Sequence, residues 1–295
     1  MHFLITGGTG FIGTYLTQLL VRQGHNITIL SRNKHRVLPN IRAIENISDI
    51  HDNEHIDVII NLAGANISKK WTQSYKRELI SSRVDTTQHI ISMISRLTKK
   101  PELLISASAV GYYGAQGKAP LSEQSPYTED FTHQLCSQWE TIALQAENYG
   151  VRTCITRLGV VLGKGGGALE KMLPAFKYGL GGKIGSGEQF FSWVHIKDLI
   201  AAFNECVKNK QYRGIYNLTA PHPVTNAQFT AALGKAIQRP TMFTIPGWFI
   251  TLVFGEMGEN LLLRGQNVIP ERLQNAGFQF NYPDIESALT EICNR

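Results

Sequence analysis

Apolar residues along this chain recur in two periods. Short, nearly unbroken apolar runs occur at Phe3-Leu4-Ile5, at 26–30, at 57–62, at 103–106 and at 153–156. Runs of this kind suit strands covered on both faces of a parallel sheet. Between them the spacing is helical, first at Phe11, Ile12, Tyr15, Leu16, Leu19 and Leu20, then across 74–97 and 134–148. Strands alternating with helices predict an α/β fold, a Rossmann-type doubly wound parallel sheet with right-handed crossovers. Ligands of such sheets bind beyond the carboxyl ends of the strands, so residues just after each strand carry the most information.

Past residue 160 the pattern changes. Glycine-rich stretches at 163–167 and 179–187 flank a predicted helix over 168–178. Neither is followed by the Lys-Ser/Thr pair of a P-loop, which excludes an ATPase of that type. They read either as mobile connectors or as loops that close over a substrate. Residues 214–218 form a late strand that returns to the sheet, and the chain after Thr225 reads as helical with breaks at Pro240, Pro246 and Pro270. The expected organisation is a dinucleotide-binding domain over 1–163, with 190–220 returning to it. Residues 164–189 and 221–295 make a smaller, mostly helical C-terminal lobe. The longest apolar stretch, 243–254, holds Pro246 and Gly247 and is too short to span a bilayer. It is expected as a buried helix of that lobe, with surface association with a membrane as the alternative.

The first strand runs directly into Gly7-Gly8-Thr9-Gly10-Phe11-Ile12-Gly13, a G-x-x-G-x-x-G loop that opens a helix. Gly7 supplies the tight turn, Gly10 lets the backbone approach a pyrophosphate, and Gly13 lets helix and strand lie close. The helix N-terminus then offers unpaired N–H groups to the anion. At the end of the second strand, where NAD-selective sites carry an acid, this chain has Ser31-Arg32. A hydroxyl and a guanidinium can bind a 2′-phosphate that a carboxylate would repel. The expected cofactor is therefore NADP(H).

With 295 residues, 43% of them apolar and 18% charged, the chain can bury a large core and is not disordered. The net charge of +6 comes from scattered basic residues, densest at Lys99-Lys100 and over 32–36. No basic stripe with interleaved aromatics is present, so nucleic acid is not expected as a partner. Cys136, Cys154, Cys206 and Cys293 are far apart and form no C-x-x-C pair, which fits a reducing, cytoplasmic setting without a disulfide framework or zinc ribbon. The nucleotide loop starts at residue 7, so no signal peptide is expected ahead of it. His51 and His55 are four apart but sit in a polar loop without a third ligand, and no metal is expected.

These segments resemble the extended short-chain dehydrogenase/reductases. The resemblance covers most of the chain and is carried by Thr6 to Gly13, by Asn61-Leu62-Ala63-Gly64-Ala65, by 106–114, by 157–163 and by 193–198. A narrower likeness is to an atypical "epimerase family" subgroup, through 82–87, 181–187, 265–272 and 276–278, including a C-terminal domain of unknown function. Some of its members are labelled cell-division inhibitors or sugar-nucleotide epimerases. The resemblance implies cofactor contacts from Gly7, Gly10, Phe11, Ile12, Gly13, Ser31, Arg32, Leu62, Ala63, Gly64, Glu78, Arg83 and Val161. Arg83 is the strongest on physical grounds, because a cation facing phosphate gains charge-assisted hydrogen bonds. Glu78 would accept from a ribose hydroxyl or fix Arg83; the alternative for both is an ordinary surface charge pair.

Superfamily members use a Tyr-x-x-x-Lys pair for proton exchange. The aligned stretch here is Cys136-Ser137-Gln138-Trp139-Glu140, so the tyrosine position holds a cysteine and the lysine position a glutamate. The usual mechanism cannot operate unaltered. Ser108 matches the substrate-polarising serine, with a strand-end cap as the alternative, and Tyr112 or Tyr113 could donate a proton. Cys136 reads as a buried small hydrophobe ahead of a nucleophile. His195 and Asp198 read as a structural hydrogen bond and a packing or capping residue. The resulting expectation is an NADP(H)-dependent oxidoreductase or epimerase acting on a small carbonyl, hydroxyl or nucleotide-sugar substrate. A non-enzymatic NADP(H) sensor is the second reading. Expected partners are a small-molecule substrate and, for assembly, a homodimer; no membrane partner is expected.

Overall fold

A computed structural model of the protein describes residues 1–33, 37, 38 and 41–294. Part of the basic cluster over 32–36 therefore lies outside the described residues. Six strands come first: β1 (His2–Thr6), β2 (Asn26–Leu30), β3 (Arg42–Ile44), β4 (Val58–Asn61), β5 (Leu103–Ala109) and β6 (Arg152–Leu158). Short strands follow: β7 (Val160–Leu162), β8 (Gly182–Ile184), β9 (Phe190–Phe191) and β10 (Trp193–His195). Then β11 (Gly214–Leu218) returns to the sheet, before β12 (Val224–Thr225) and β13 (Phe243–Ile245). The seven-stranded sheet has the order β11-β6-β5-β4-β1-β2-β3, and every pairing in it is parallel. Chain direction across the sheet reverses between β1 and β4, where Thr6 pairs with Asn61. This is the switch point at which doubly wound sheets hold ligands.

Side-chain alternation along each strand divides the core between two faces. Phe3, Ile5, Ile29, Ile60 and Ile105 pack on one face against Leu16 and Leu20 of α1 (Phe11–Arg22) and Leu199 and Phe203 of α5 (Ile196–Lys208). Leu4, Ile59, Leu104 and Ile155 pack on the other, against Ile90 and Ile94 of α2 (Gln73–Arg96) and Ala143 of α3 (Phe131–Leu144). A separate core lies further along the chain. It joins Leu169 and Phe176 of α4 (Gly167–Lys177) to Phe229 and Leu233 of α6 (Asn226–Ala236) and to Leu289 and Ile292 of α9 (Ile285–Cys293). Between α6 and α9 lie α7 (Gly247–Gly258) and α8 (Glu271–Asn275).

The glycine stretches are packed in part: a Cβ on Gly166 would strike the Phe11 ring and one on Gly181 the Phe176 ring, whereas Gly165 and Gly179 have open space. Two features depart from the pattern read in the sequence. The edge strands β3 and β13 are too short to show a period. Residues 243–254, expected as one buried helix, are a strand and a separate helix. Pro246 divides them, because it fixes φ and lacks an N–H. Of α7, Ile250 and Met257 are buried, whereas Trp248, Phe249, Leu252, Val253 and Phe254 are exposed. Among the described residues no helix is long and apolar enough to cross a membrane.

Candidate functional site

The glycines following β1 are where the sheet demands them. Gly7 has φ +68°, and a Cβ there would lie 2.7 Å from the Leu62 carbonyl oxygen; one on Gly13 would stand on the Gly7 carbonyl itself. The Gly10 amide closes the turn on the Gly7 carbonyl at 3.0 Å. Helices α2, α3 and α6 are capped by the side chains of Thr72, Asp130 and Thr225. Helix α1 begins at Gly10 with no side-chain cap and no acid in its first turn. It starts at the switch point, where the free amides of a helix N-terminus can bind an anion.

The neighbouring strand ends are bolted together by buried hydrogen bonds. The Thr6 hydroxyl donates to Asn61 Oδ1 at 2.7 Å and accepts the Ala63 amide at 3.1 Å. The Asn61 amide donates to Thr87 at 2.8 Å and to Ser106 at 3.2 Å. Thr6, Asn61, Thr87 and Ser106 are fully buried. This network holds Ala63-Gly64-Ala65 against α2, and it places Arg83 there. The Arg83 guanidinium donates to the Leu79 and Ala65 carbonyls at 3.0 and 3.1 Å, and lies so close over Gly64 that a Cβ would be 2.8 Å from its Cζ. Burial holds its pKa below the usual value. Among the described residues no carboxylate pairs with it. Its guanidinium also lies over the Trp139 ring, 5.4 Å to the centroid, and a half-buried cation held by carbonyls and a ring is poised for an anion.

Phe11, Ile12, Leu62 and Val161 meet at the rim of the core beneath this edge. The Ser31 hydroxyl is taken up in a turn with Asn33, donating to its carbonyl at 3.0 Å and accepting its amide at 3.2 Å. Arg32 is exposed just beyond β2. Glu78 is exposed and, among the described residues, makes no ion pair with Arg83. The surface charge pair considered for these two is not formed.

Around the Tyr/Lys positions the polar groups are turned on one another. Glu140 and Arg157 are both buried and form a two-point pair, Nε to Oε1 at 2.9 Å and Nη2 to Oε2 at 2.8 Å. The Ser108 hydroxyl donates to the same carboxylate at 2.6 Å. Arg157 Nη1 donates to the Tyr113 hydroxyl at 3.0 Å, and that hydroxyl donates to Asn217 Oδ1 at 2.8 Å. Burial opposes the charge on Arg157, but Glu140 outweighs it and holds the guanidinium pKa above its usual value. Tyr113 is fully buried, which pushes its phenol up. Tyr112 differs: its ring lies flat on the guanidinium, 3.3 Å from Cζ to the ring centroid, and its hydroxyl has no protein partner among the described residues. Cys136 is buried, and burial together with the nearby Glu140 charge pushes its thiol up to about 12. Sequence reasoning gave no part to Arg157 or Asn217. The available signal was a second arginine, near the carboxyl end of a strand that the sheet buries.

His195 and Asp198 are structural. His195 Nδ1 accepts the Lys197 amide at 3.2 Å, capping α5, and Nε2 donates to Glu291 at 3.1 Å. Accepting at Nδ1 requires the neutral ring, in keeping with a pKa lowered by burial. Asp198 accepts the Asn281 and Tyr282 amides at 2.8 and 2.9 Å.

The NAD dependent epimerase/dehydratase family model matches residues 3–219, and a domain of unknown function (DUF1731) matches 245–292. The chain belongs to the NAD dependent epimerase/dehydratase family. It is 38% identical over 298 residues to the epimerase family protein YfhF of Bacillus subtilis, covering 99% of this chain and 98% of that one. To the chloroplastic SDR39U1 homolog of Arabidopsis thaliana it is 38% identical over 302 residues, covering 99% and 86%. A crystal structure of human epimerase family protein SDR39U1 (isoform2) with NADPH superposes with a TM-score of 0.91 at 36% identity, covering 99% of each chain. The family resemblance and the Rossmann-like sheet with its helical C-terminal region are thus both established.

Proposed function

We propose that the protein binds NADP(H) at the β1–α1 edge and uses it as an oxidoreductase or epimerase on a small carbonyl, hydroxyl or nucleotide-sugar substrate. The observation that carries this reading is Arg83, a half-buried guanidinium with no carboxylate partner among the described residues, set beside an uncapped helix N-terminus and a glycine turn that admits no Cβ. The human relative bound to NADPH supports the choice of cofactor. The residues fit the group: the α1 amides and Arg83 would hold phosphates, Arg32 the adenosine phosphate once Ser31 releases the Asn33 carbonyl or keeps to the turn beside it, and Leu62, Ala63 and Val161 the apolar surfaces. When bound, the nicotinamide supplies hydride chemistry.

The chain itself must move the proton. Ser108 directs its proton to Glu140, and the Tyr113 hydroxyl is spent on Asn217. Tyr112 is the proton-exchanging group of this proposal, its ring held in place by the buried Arg157. A second reading, an NADP(H)-binding sensor without catalysis, draws support from the same closed network at the Tyr/Lys positions. Both readings expect NADPH to bind at least tenfold more tightly than NADH in fluorescence titrations; failure of both coenzymes to bind at millimolar concentration overturns both. Hydride transfer from 4-deuterated NADPH to any member of a carbonyl and nucleotide-sugar panel, abolished in Y112F, selects the enzyme. Cofactor binding with no transfer across that panel selects the sensor.

A further inference from the structure

We propose that the outer face of α7 and β13 seats the protein on an anionic lipid bilayer. Met242 and Tyr178 are 89% and 83% exposed, Leu252 and Trp248 71% and 69%, and Leu180 and Phe243 are exposed beside them. These residues are joined through two neighbouring elements. β13 pairs with β8 in parallel from Phe243 and Gly182, so Met242 and Leu180 lead into the same end of that pair, and α7 follows β13 directly. On α7, Trp248, Phe249, Leu252 and Val253 form an i, i+4 stripe that no other element covers.

Charge decides what covers it. The sequence has no Asp or Glu between Glu170 and Glu188, nor between Glu205 and Glu256. Lys177, Lys183 and Arg239 are exposed in these acid-free segments and are tied to the apolar knobs. Arg239 Nε donates to the Lys177 carbonyl at 3.0 Å, and Lys183 pairs with Thr244 across β8 and β13. Of the acids nearest the apolar stripe, Glu256 is paired with Lys76 and Glu259 with Arg264, and Glu188, which closes the first segment, is paired with Lys118. A second copy docking here about a twofold axis would bring like charges together. Protruding aromatic and aliphatic side chains rimmed by cations suit the headgroup boundary of an anionic bilayer instead. The sequence-based expectation of no membrane partner rested on burying 243–254, which the fold does not do.

The test is flotation of the full-length protein with phosphatidylcholine vesicles, with and without phosphatidylglycerol. Trp71, Trp139 and Trp193 are buried, so the exposed Trp248 is the tryptophan free to report insertion. The expected result is flotation with anionic vesicles only, a blue shift of tryptophan emission, and loss of both in L252E or at high salt. Each cation removed among Lys177, Lys183 and Arg239 should weaken partitioning about fivefold, so the triple Gln variant falls on the order of a hundredfold. L252E changes a side chain that is already largely exposed, and unaltered circular dichroism confirms its fold. Absence of flotation with anionic vesicles overturns the proposal. So does flotation that survives L252E, or concentration-dependent self-association in sedimentation that L252E abolishes.

Discussion

Two stretches of the sheet's carboxyl edge treat their polar groups in opposite ways. At β1, α1 and the end of β4, a helix N-terminus has no side-chain cap, a guanidinium has no carboxylate partner among the described residues, and small residues keep the backbone within reach. At β5, α3 and β6, a few residues away, serine, glutamate, arginine and tyrosine satisfy one another inside the protein. Only a ligand can complete the first arrangement, whereas the second is complete without one. A cysteine in the tyrosine position and a glutamate in the lysine position convert a proton-exchange device into a strut. Tyr112, stacked against Arg157 of the closed stretch with its hydroxyl unpartnered among the described residues, stands at the boundary between the two.

The strongest way to break this comparison is to open the strut. E140A strands Arg157 as an uncompensated buried charge, and should cost about 3–5 kcal/mol in urea unfolding. The double variant E140L/R157M removes both charges and should recover most of that loss. NADPH affinity should be unchanged in whatever fraction stays folded. If E140A instead abolished binding while leaving stability intact, the two stretches would be a single site.

At the open edge the largest effect comes from Gly13. G13A places a methyl group on the Gly7 carbonyl, where backbone and not a flexible side chain must yield. It should destabilise by roughly 1–3 kcal/mol, as overpacking does, and weaken NADPH binding at least tenfold by calorimetry. G24A is the control: its φ is positive, at +76°, so a side chain there is strained, but nothing lies within 4 Å of a Cβ. It should cost stability alone.

R83Q sharpens the same point without steric change. Charge-assisted hydrogen bonds to phosphate are worth about 1.5–3 kcal/mol, so Kd for NADPH should rise by roughly 10- to 100-fold with little loss of stability. R32Q should act selectively, weakening NADPH and leaving NADH unaffected. E78Q, an exposed position without contact to Arg83, should do neither.

The open edge was far more legible in the sequence than the closed one, and the reason is physical. A glycine turn announces itself because Gly7, Gly10 and Gly13 meet backbone needs that are local in sequence. Long apolar runs at 57–62 and 103–106 showed a sheet buried on both faces. The strut joins Ser108, Glu140, Arg157 and Asn217, residues 32, 17 and 60 apart along the chain, and local periodicity is silent about such partners. Similarly, 243–254 has the composition of a core helix. Its exposure depends on what packs against it, which a linear pattern does not carry.

The smallest expected perturbation is at Cys136, and it tests whether the closed stretch is inert. A thiol pushed up to about 12 by burial and by Glu140 stays protonated across the neutral and mildly alkaline range. At pH 8 only about one molecule in ten thousand would carry the thiolate, against roughly a quarter for an ordinary exposed cysteine. Iodoacetamide at pH 8, followed by peptide mass spectrometry, should therefore modify the less buried Cys293 and leave Cys136 untouched until the protein unfolds. C136A should cost roughly 1 kcal/mol of stability, as loss of a small buried group does, with no change in NADPH affinity or in any transfer activity. The sign of the pH effect is fixed by the raised pKa: raising pH toward 10 speeds labelling of Cys293 long before Cys136. Rapid alkylation of Cys136 in the native protein would mean that solvent reaches the tyrosine position after all. The strut would then be a door, and the contrast between the two stretches would lose its basis.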